Sequence, residues 1–158
     1  MVKVNRKEAE PMKEGYVDNS FASLYYKEMG QGMPLIMLHG NGESHEIFAR
    51  LSELMSRYYR VILMDSRGHG SSLMKGEAAR GELTIPDMAA DVVQVMEFLH
   101  VPRAVILGFS DGANVALETA SCYPGRVSAV VAVSGNALPR GMSTASLMEV
   151  KLKYALWR

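Results

Sequence analysis

The sequence has one cysteine, no net charge and no long hydrophobic run, and each of these absences excludes a class of protein. Cys122 is the only cysteine in 158 residues, so no internal disulfide can form, and a reducing compartment is expected. Seventeen basic residues balance 17 acidic ones, which argues against a nucleic-acid partner. The longest apolar runs, Pro34–Leu38 and Val127–Val133, are too short to span a bilayer, so we expect no membrane partner. The N-terminus lacks the apolar stretch of a secretory signal, and we predict a cytoplasmic protein.

Hydrophobic residues make up 48% of the chain, which is enough for a core, and they follow two alternating patterns. Short apolar runs predict strands that are buried on both faces, and apolar residues three or four positions apart predict helices between them. The predicted strands are Phe21–Lys27, Pro34–Leu38, Val61–Met64, Ala104–Leu107 and Val127–Val133. Strands that alternate with helices predict an α/β fold with a doubly wound, mostly parallel sheet.

The most clearly marked helix is predicted between Thr84 and Pro102. Thr84 and Asp87 have the spacing of a capping box, with Asp in place of the usual Glu, and Pro86 suits the first helical turn. One apolar stripe follows at Met88, Val92, Val95, Met96 and Leu99. We expect Pro102 to end this helix.

The pentapeptide Gly108–Gly112 (Gly-Phe-Ser-Asp-Gly) carries the strongest chemical signal. It matches G-x-S-x-G, and it lies between a predicted strand and a predicted helix, which is the context that a nucleophile elbow requires. The sharp turn holds Ser110 in a strained backbone conformation, and side chains two residues away on either side would collide, so glycines stand there. Ser110 at the start of a helix is therefore predicted to be a catalytic nucleophile.

A second motif, His39-Gly40-Asn41-Gly42, follows the strand Pro34–Leu38. With the elbow, it resembles the α/β-hydrolase family, and the likeness runs from about residue 20 to about residue 135. The elbow looks most like that of bacterial esterases and carboxylesterases. The resemblance implies that the backbone amides of Asn41 and Asp111 form the oxyanion hole, with Gly42 as a near alternative to Asn41. It also implies that His39 is structural.

A third motif, Asp65–Ser72, resembles the D-x-R-G-x-G-x-S loop of the same family, whose role is mainly architectural. Two other interpretations are open here. Asp65 and His69 could form a catalytic pair, or Gly40–Gly42 followed by Asp65 could be part of a dinucleotide-binding fingerprint. His45 stands where that fingerprint needs its third glycine, and the elbow at Ser110 has no place in it.

The chain departs from the family after the nucleophile. Family members order the triad as Ser, then Asp or Glu, then His, but all four histidines here precede Ser110. Of the later carboxylates, neither Glu118 nor Glu149 follows a recognisable later strand, where the family places its acid. The resemblance also implies two further strands. We therefore expect a C-terminally truncated α/β-hydrolase fold, with a polar lead-in at 1–20, a core at 21–135 and the start of a cap or lid at 136–158.

The predicted function is that of a serine hydrolase or esterase, which cleaves a carboxylic ester or related acyl substrate through a Ser110 acyl-enzyme. The alternative is a catalytically incomplete fragment that lacks the triad acid and His, and that is non-catalytic or needs a second chain. A third interpretation keeps the fold but changes the reaction, for example to perhydrolysis or carbon–carbon bond cleavage. No metal or organic cofactor is implied. The expected partners are a small acyl or ester substrate and a second copy of the chain, paired through the sheet edge at Val127–Val133.

Overall fold

The computed structural model describes residues 12–76 and 83–136, which form one sheet flanked by helices. The strands are β1 (Lys13–Asp18), β2 (Ala22–Met29), β3 (Met33–Leu38), β4 (Tyr59–Met64), β5 (Leu73–Met74), β6 (Ala104–Phe109) and β7 (Val127–Val133). The α-helices are α1 (Ala49–Met55), α2 (Ile85–Phe98) and α3 (Asp111–Cys122), and short 3-10 turns occur at His45–Phe48 and Pro124–Arg126. The predicted α/β fold class is confirmed.

The strands follow the spatial order β1-β2-β4-β3-β6-β7, and the short β5 pairs with β2. The β4-β3-β6-β7 half is parallel, while β1 and β2 join it as antiparallel strands. The first strand was not predicted, because residues 1–20 looked like a polar lead-in. Only Val17 of β1 is buried, so this edge strand carries a polar sequence without an apolar run that would mark it.

Helices cover both faces of the sheet, and the alternating side chains of β3 serve both cores. Ile36 and Leu38 belong to the larger core, which α2 and α3 complete. Leu35 and Met37 belong to the smaller core on the other face, where they meet Phe48 and the partly buried side chains of α1. Polar and apolar residues do not alternate along a strand that is buried on both faces, which explains the continuous apolar run in the sequence.

Helix α2 begins as predicted but ends earlier. The Thr84 hydroxyl accepts a hydrogen bond from the Asp87 amide at 3.2 Å and caps the first turn. The helix stops at Phe98, not at Pro102, because His100 adopts a positive φ of 53° and the Val101 amide reaches back to the carbonyl of Met96. This reversal closes the helix before the proline is reached.

Strand β7 has the predicted bounds but not the predicted burial. Val127 is its only buried residue, and Val131 and Val133 are 45% and 44% exposed. The physical reason is that β6 is its only strand neighbour among the described residues. The predicted cap at 136–158 and the two stretches 1–11 and 77–82 fall almost wholly outside the described residues. None of the helices in the described ranges combines the length and apolar character needed to cross a bilayer.

Candidate active site

Ser110 lies where β6 ends and α3 begins, and its backbone is strained. Its φ is 52° and its ψ is −118°, a conformation that L-residues with a side chain rarely adopt. The turn is held from both sides, because the Ser110 amide donates to the Val133 carbonyl at 2.9 Å and the Ser110 carbonyl accepts from the Ala113 amide at 3.0 Å. Strain of this kind persists only where the surroundings fix it, and it clusters at functional sites.

The two glycines of the elbow are required by close backbone contact. A Cβ on Gly108 would lie 2.1 Å from the Gly112 carbonyl oxygen. A Cβ on Gly112 would lie 2.2 Å from the carbonyl oxygen of Leu38, at the end of β3. Neither residue has a positive φ, so the requirement is for space and not for backbone freedom. The predicted collision is therefore one with backbone atoms, and the absence of two side chains lets α3 start directly against the sheet.

The turn after β3 lies against the elbow. A Cβ on Gly40 would come within 3.0 Å of the Ser110 Cβ, so the two segments touch. The Asn41 amide donates no hydrogen bond within the described residues. The Asp111 amide is at the first position of α3, where helix geometry provides no intrahelical acceptor. Two amides without internal acceptors therefore lie next to residues that contact or include Ser110, and their role as an oxyanion hole stays a prediction.

A cavity of about 210 Å³ opens beside these amides. Its polar side is formed by residues of the turn after β3, the loop after β4 and the start of α3, namely Gly40, Asn41, Ser66, His69, Asp111 and Gly112. Its apolar side is formed by residues on and around α2 and on α3, namely Leu83, Ile85, Met88 and Val115. A pocket with apolar walls and a few convergent polar groups is the usual form of a small-molecule site.

His39 connects the ends of β3 and β4. Its Nδ1 donates to the Gly40 carbonyl at 2.7 Å, and its Nε2 accepts from the Ser66 amide at 3.1 Å. Both ring nitrogens are thus occupied by backbone groups, and the side chain is buried. Burial lowers the pKa of His39, because the charged form would lose its hydration, and nearby His69 lowers it further. The ring has no free nitrogen with which to accept a proton from Ser110.

The suggested Asp65–His69 pair is wrong, because Asp65 is paired with His45. The buried Asp65 carboxylate accepts from the His45 amide at 2.6 Å, from His45 Nδ1 at 3.0 Å and from the Ser71 amide at 2.8 Å. His69 instead donates from Nδ1 to the Arg67 carbonyl and places Nε2 3.1 Å from the side-chain oxygen of Asn41. His45 had no distinctive spacing in the sequence, and only the folded loops bring it to Asp65.

The loop after β4 holds this arrangement in place. A Cβ on Gly70 would lie 2.2 Å from Asp65 Oδ2, so the loop wraps directly around the carboxylate. Arg67 forms a two-pronged ion pair with Asp91 of α2, through bonds of 2.6 and 2.8 Å. These contacts give the D-x-R-G-x-G-x-S motif an architectural role, because they fix the cavity wall that carries His69.

Two site residues were missed by sequence reasoning. The Glu43 carboxylate accepts from the Gly40 amide at 3.0 Å and stands next to Ser110. The Asn114 side chain joins two segments, since its Nδ2 donates to Asp111 at 3.4 Å and its Oδ1 accepts from the Asn136 amide at 2.7 Å. Asn114 thereby ties the start of α3 to the segment that follows β7. In the sequence, the only sign of this role of Asn114 was its polar side chain near the start of the predicted helix.

A sharp turn from a strand into a helix with a serine at its centre, on a sheet that helices flank, is the arrangement of the nucleophile elbow in α/β-hydrolases. A family model described as "alpha/beta hydrolase fold" matches residues 33–158, and the chain belongs to this family. The predicted resemblance is confirmed, and the dinucleotide-binding alternative at Gly40–Gly42 is not the family that was found.

The chain is similar to several known hydrolases. It is 33% identical over 115 residues to the pimeloyl-acyl-carrier-protein methyl ester esterase of Aliivibrio fischeri, a match that covers 72% of this chain and 41% of that protein. Among solved structures, Est816, described as an N-acyl homoserine lactone degrading enzyme, has a TM-score of 0.75 and 30% identity, covering 88% of this chain and 52% of that one. A hydrolase from Pseudomonas aeruginosa PA01 has a TM-score of 0.77 and 25% identity, covering 92% and 53%. The chain thus spans about half the length of these relatives or less.

Proposed function

We propose that this protein is a serine hydrolase that cleaves a carboxylic ester or related acyl substrate through an acyl-enzyme on Ser110. The observation that carries the proposal is the strained Ser110 between β6 and α3, next to a cavity that Asn41 and Asp111 line. In this reaction Ser110 Oγ attacks the carbonyl carbon, the hydroxyl proton passes to a base, and the alcohol leaves. Water then attacks the acyl-enzyme and releases the acid and the free serine.

The oxyanion would lie between the Asn41 and Asp111 amides, where two donors and the start of α3 favour negative charge. The acyl group would extend into the cavity beside them, towards Met88 and Val115. A volume of about 210 Å³ is below the range of roughly 300–1,000 Å³ usual for drug-sized ligands, which favours a short acyl chain. Small esters and lactones meet this requirement, and the names of two relatives include a methyl ester and a lactone as the reacting group.

A second candidate function is a hydrolase domain that holds the nucleophile and binds acyl compounds but lacks turnover by itself. The histidines favour this alternative, since none of the four is placed to serve Ser110. His39 is occupied by backbone groups, His45 is bound to Asp65, and His69 donates to the Arg67 carbonyl while its Nε2 faces the side-chain oxygen of Asn41. His100 lies between α2 and the start of β6, whereas the elbow lies at the other end of β6. The proposed base would therefore come from outside the described residues or from a second chain.

Covalent labelling with a fluorophosphonate probe, read by intact mass, tests the proposal. The wild type should gain one label, Ser110→Ala should gain none, and Ser71→Ala, which removes an exposed hydroxyl from the neighbouring loop, should react like the wild type. An unlabelled wild type with a native circular dichroism spectrum would refute an activated Ser110 and leave the second candidate. Equal labelling of Ser110→Ala would refute the assignment of the nucleophile.

A further inference from the structure

Glu43 is a carboxylate beside the nucleophile that the proposed hydrolysis does not use. The point where a Cβ on Gly40 would lie is 2.7 Å from Glu43 Oε2 and 3.0 Å from the Ser110 Cβ. The carboxylate and the serine are therefore neighbours across Gly40. A negative charge close to a developing oxyanion opposes its formation, so this carboxylate does not assist the proposed attack.

The hydrogen bonds of Glu43 leave part of its carboxylate available. Oε2 accepts from the Gly40 amide at 3.0 Å, and the Glu43 amide donates to the Gly40 carbonyl at 3.4 Å, which closes a small turn. Within the described residues Oε1 has no hydrogen-bond partner, and no basic side chain forms an ion pair with Glu43. The side chain is half-buried, so its charge is only partly screened by water.

We infer that Glu43 determines substrate specificity, and that it favours acyl substrates with a positive charge near the scissile bond over neutral and anionic ones. The inference rests on the proposed function, because it concerns compounds that react at Ser110. A cationic group in the substrate would lie within several ångströms of Oε1 and would be attracted to it, whereas an anionic group would be repelled. For a unit charge roughly 7 Å away and an effective dielectric constant of about 35, between that of a protein surface and that of water, the expected preference is about tenfold.

The effect of the Glu43 charge on reactivity can be separated from the effect of Glu43 on the conformation of the turn. Glu43→Gln removes the charge but keeps an oxygen that can accept from the Gly40 amide. Glu43→Asp keeps the charge on a shorter side chain. Glu46→Gln is the matched control, since Glu46 is an exposed carboxylate in the adjoining 3-10 turn and its loss changes the net charge equally.

The experiment compares two fluorophosphonates, a choline ester and its uncharged 3,3-dimethylbutyl isostere, by their rates of labelling Ser110 in intact-mass measurements. In each reaction the Ser110 Oγ–P bond forms, fluoride leaves, and the hydroxyl proton passes to a base. We expect the choline probe to react about tenfold faster with the wild type and with Glu46→Gln, and the two rates to become equal in Glu43→Gln.

High ionic strength should bring the wild-type ratio towards one, which tests the inference even if Glu43→Gln fails to fold. Equal rates in the wild type at low salt would overturn the inference and leave the proposed function intact, as would an undiminished ratio in Glu43→Gln. If neither probe reacts with Ser110, the proposed function fails and the inference fails with it.

Discussion

Replacing Gly112 by alanine would drive a methyl group into the main chain of β3. The new Cβ would lie 2.2 Å from the Leu38 carbonyl oxygen and 2.5 Å from that of His39, and neither backbone atom can rotate away. Helix α3 would have to retreat from the sheet by about an ångström before these contacts became tolerable. Overpacking usually costs roughly 1–3 kcal/mol, and a rigid backbone on both sides puts this site at the upper end. We expect the free energy of unfolding to fall by about 3 kcal/mol.

Urea denaturation followed by circular dichroism would measure this loss. Gly125→Ala is the matched control, because nothing lies within 4 Å of a Cβ at that position and its φ is not positive. It should keep or raise stability, by about 0.4–1 kcal/mol. The shift of α3 would also displace Ser110, so fluorophosphonate labelling of Gly112→Ala should slow by about a hundredfold. A Gly112→Ala protein within 1 kcal/mol of the wild type would refute the steric account of the elbow.

Three further predictions concern the surroundings of the site. Asp91→Ala leaves Arg67 buried without its ion-pair partner and should lower the free energy of unfolding by about 3–5 kcal/mol in the same denaturation assay. A substitution of the exposed Asp87 should lower it far less. Because burial lowers the pKa of His39, its contribution to stability is complete above the unfolded value near 6.5 and is lost as the pH falls below it. The difference between the free energies of unfolding at pH 7.5 and 5.5 should therefore be smaller in His39→Gln than in the wild type. If β7 pairs two copies of the chain, Val131→Lys should shift light-scattering mass towards the monomer, and a wild-type monomer at high concentration would exclude that pairing.

The elements that sequence reasoning located are those whose physical requirements are local. β3 and β6 are buried in the middle of the sheet, so an unbroken apolar run marks each of them. The elbow needs glycines at 108 and 112 because backbone atoms occupy the space of their side chains, and that need appears directly in the sequence. The Thr84 cap is equally local, since its partner is three residues away.

The features that were missed depend on contacts between distant segments. His45 reaches Asp65 only because the turns after β3 and β4 end at the same edge of the sheet. Glu43 becomes notable only when Gly40 is seen to touch Ser110. β1 carries a polar sequence because it is an exposed edge strand, whereas β7, which was expected to be a sheet edge, carries an apolar run although most of it is exposed. Hydrophobic pattern alone does not distinguish such edges from the centre.

The contact between Gly112 and the end of β3 separates the position of the nucleophile from the shape of the pocket. Ser110 is located by main-chain atoms of β3, β6 and α3, whereas the apolar cavity wall is formed by side chains such as Leu83, Ile85 and Met88 around the start of α2. Substitutions in that wall can enlarge or narrow the pocket without moving the serine. The acceptance of new acyl groups and the precision of the attack are thus encoded in different residues, so substrate range can diverge between related chains while the reacting geometry stays constant.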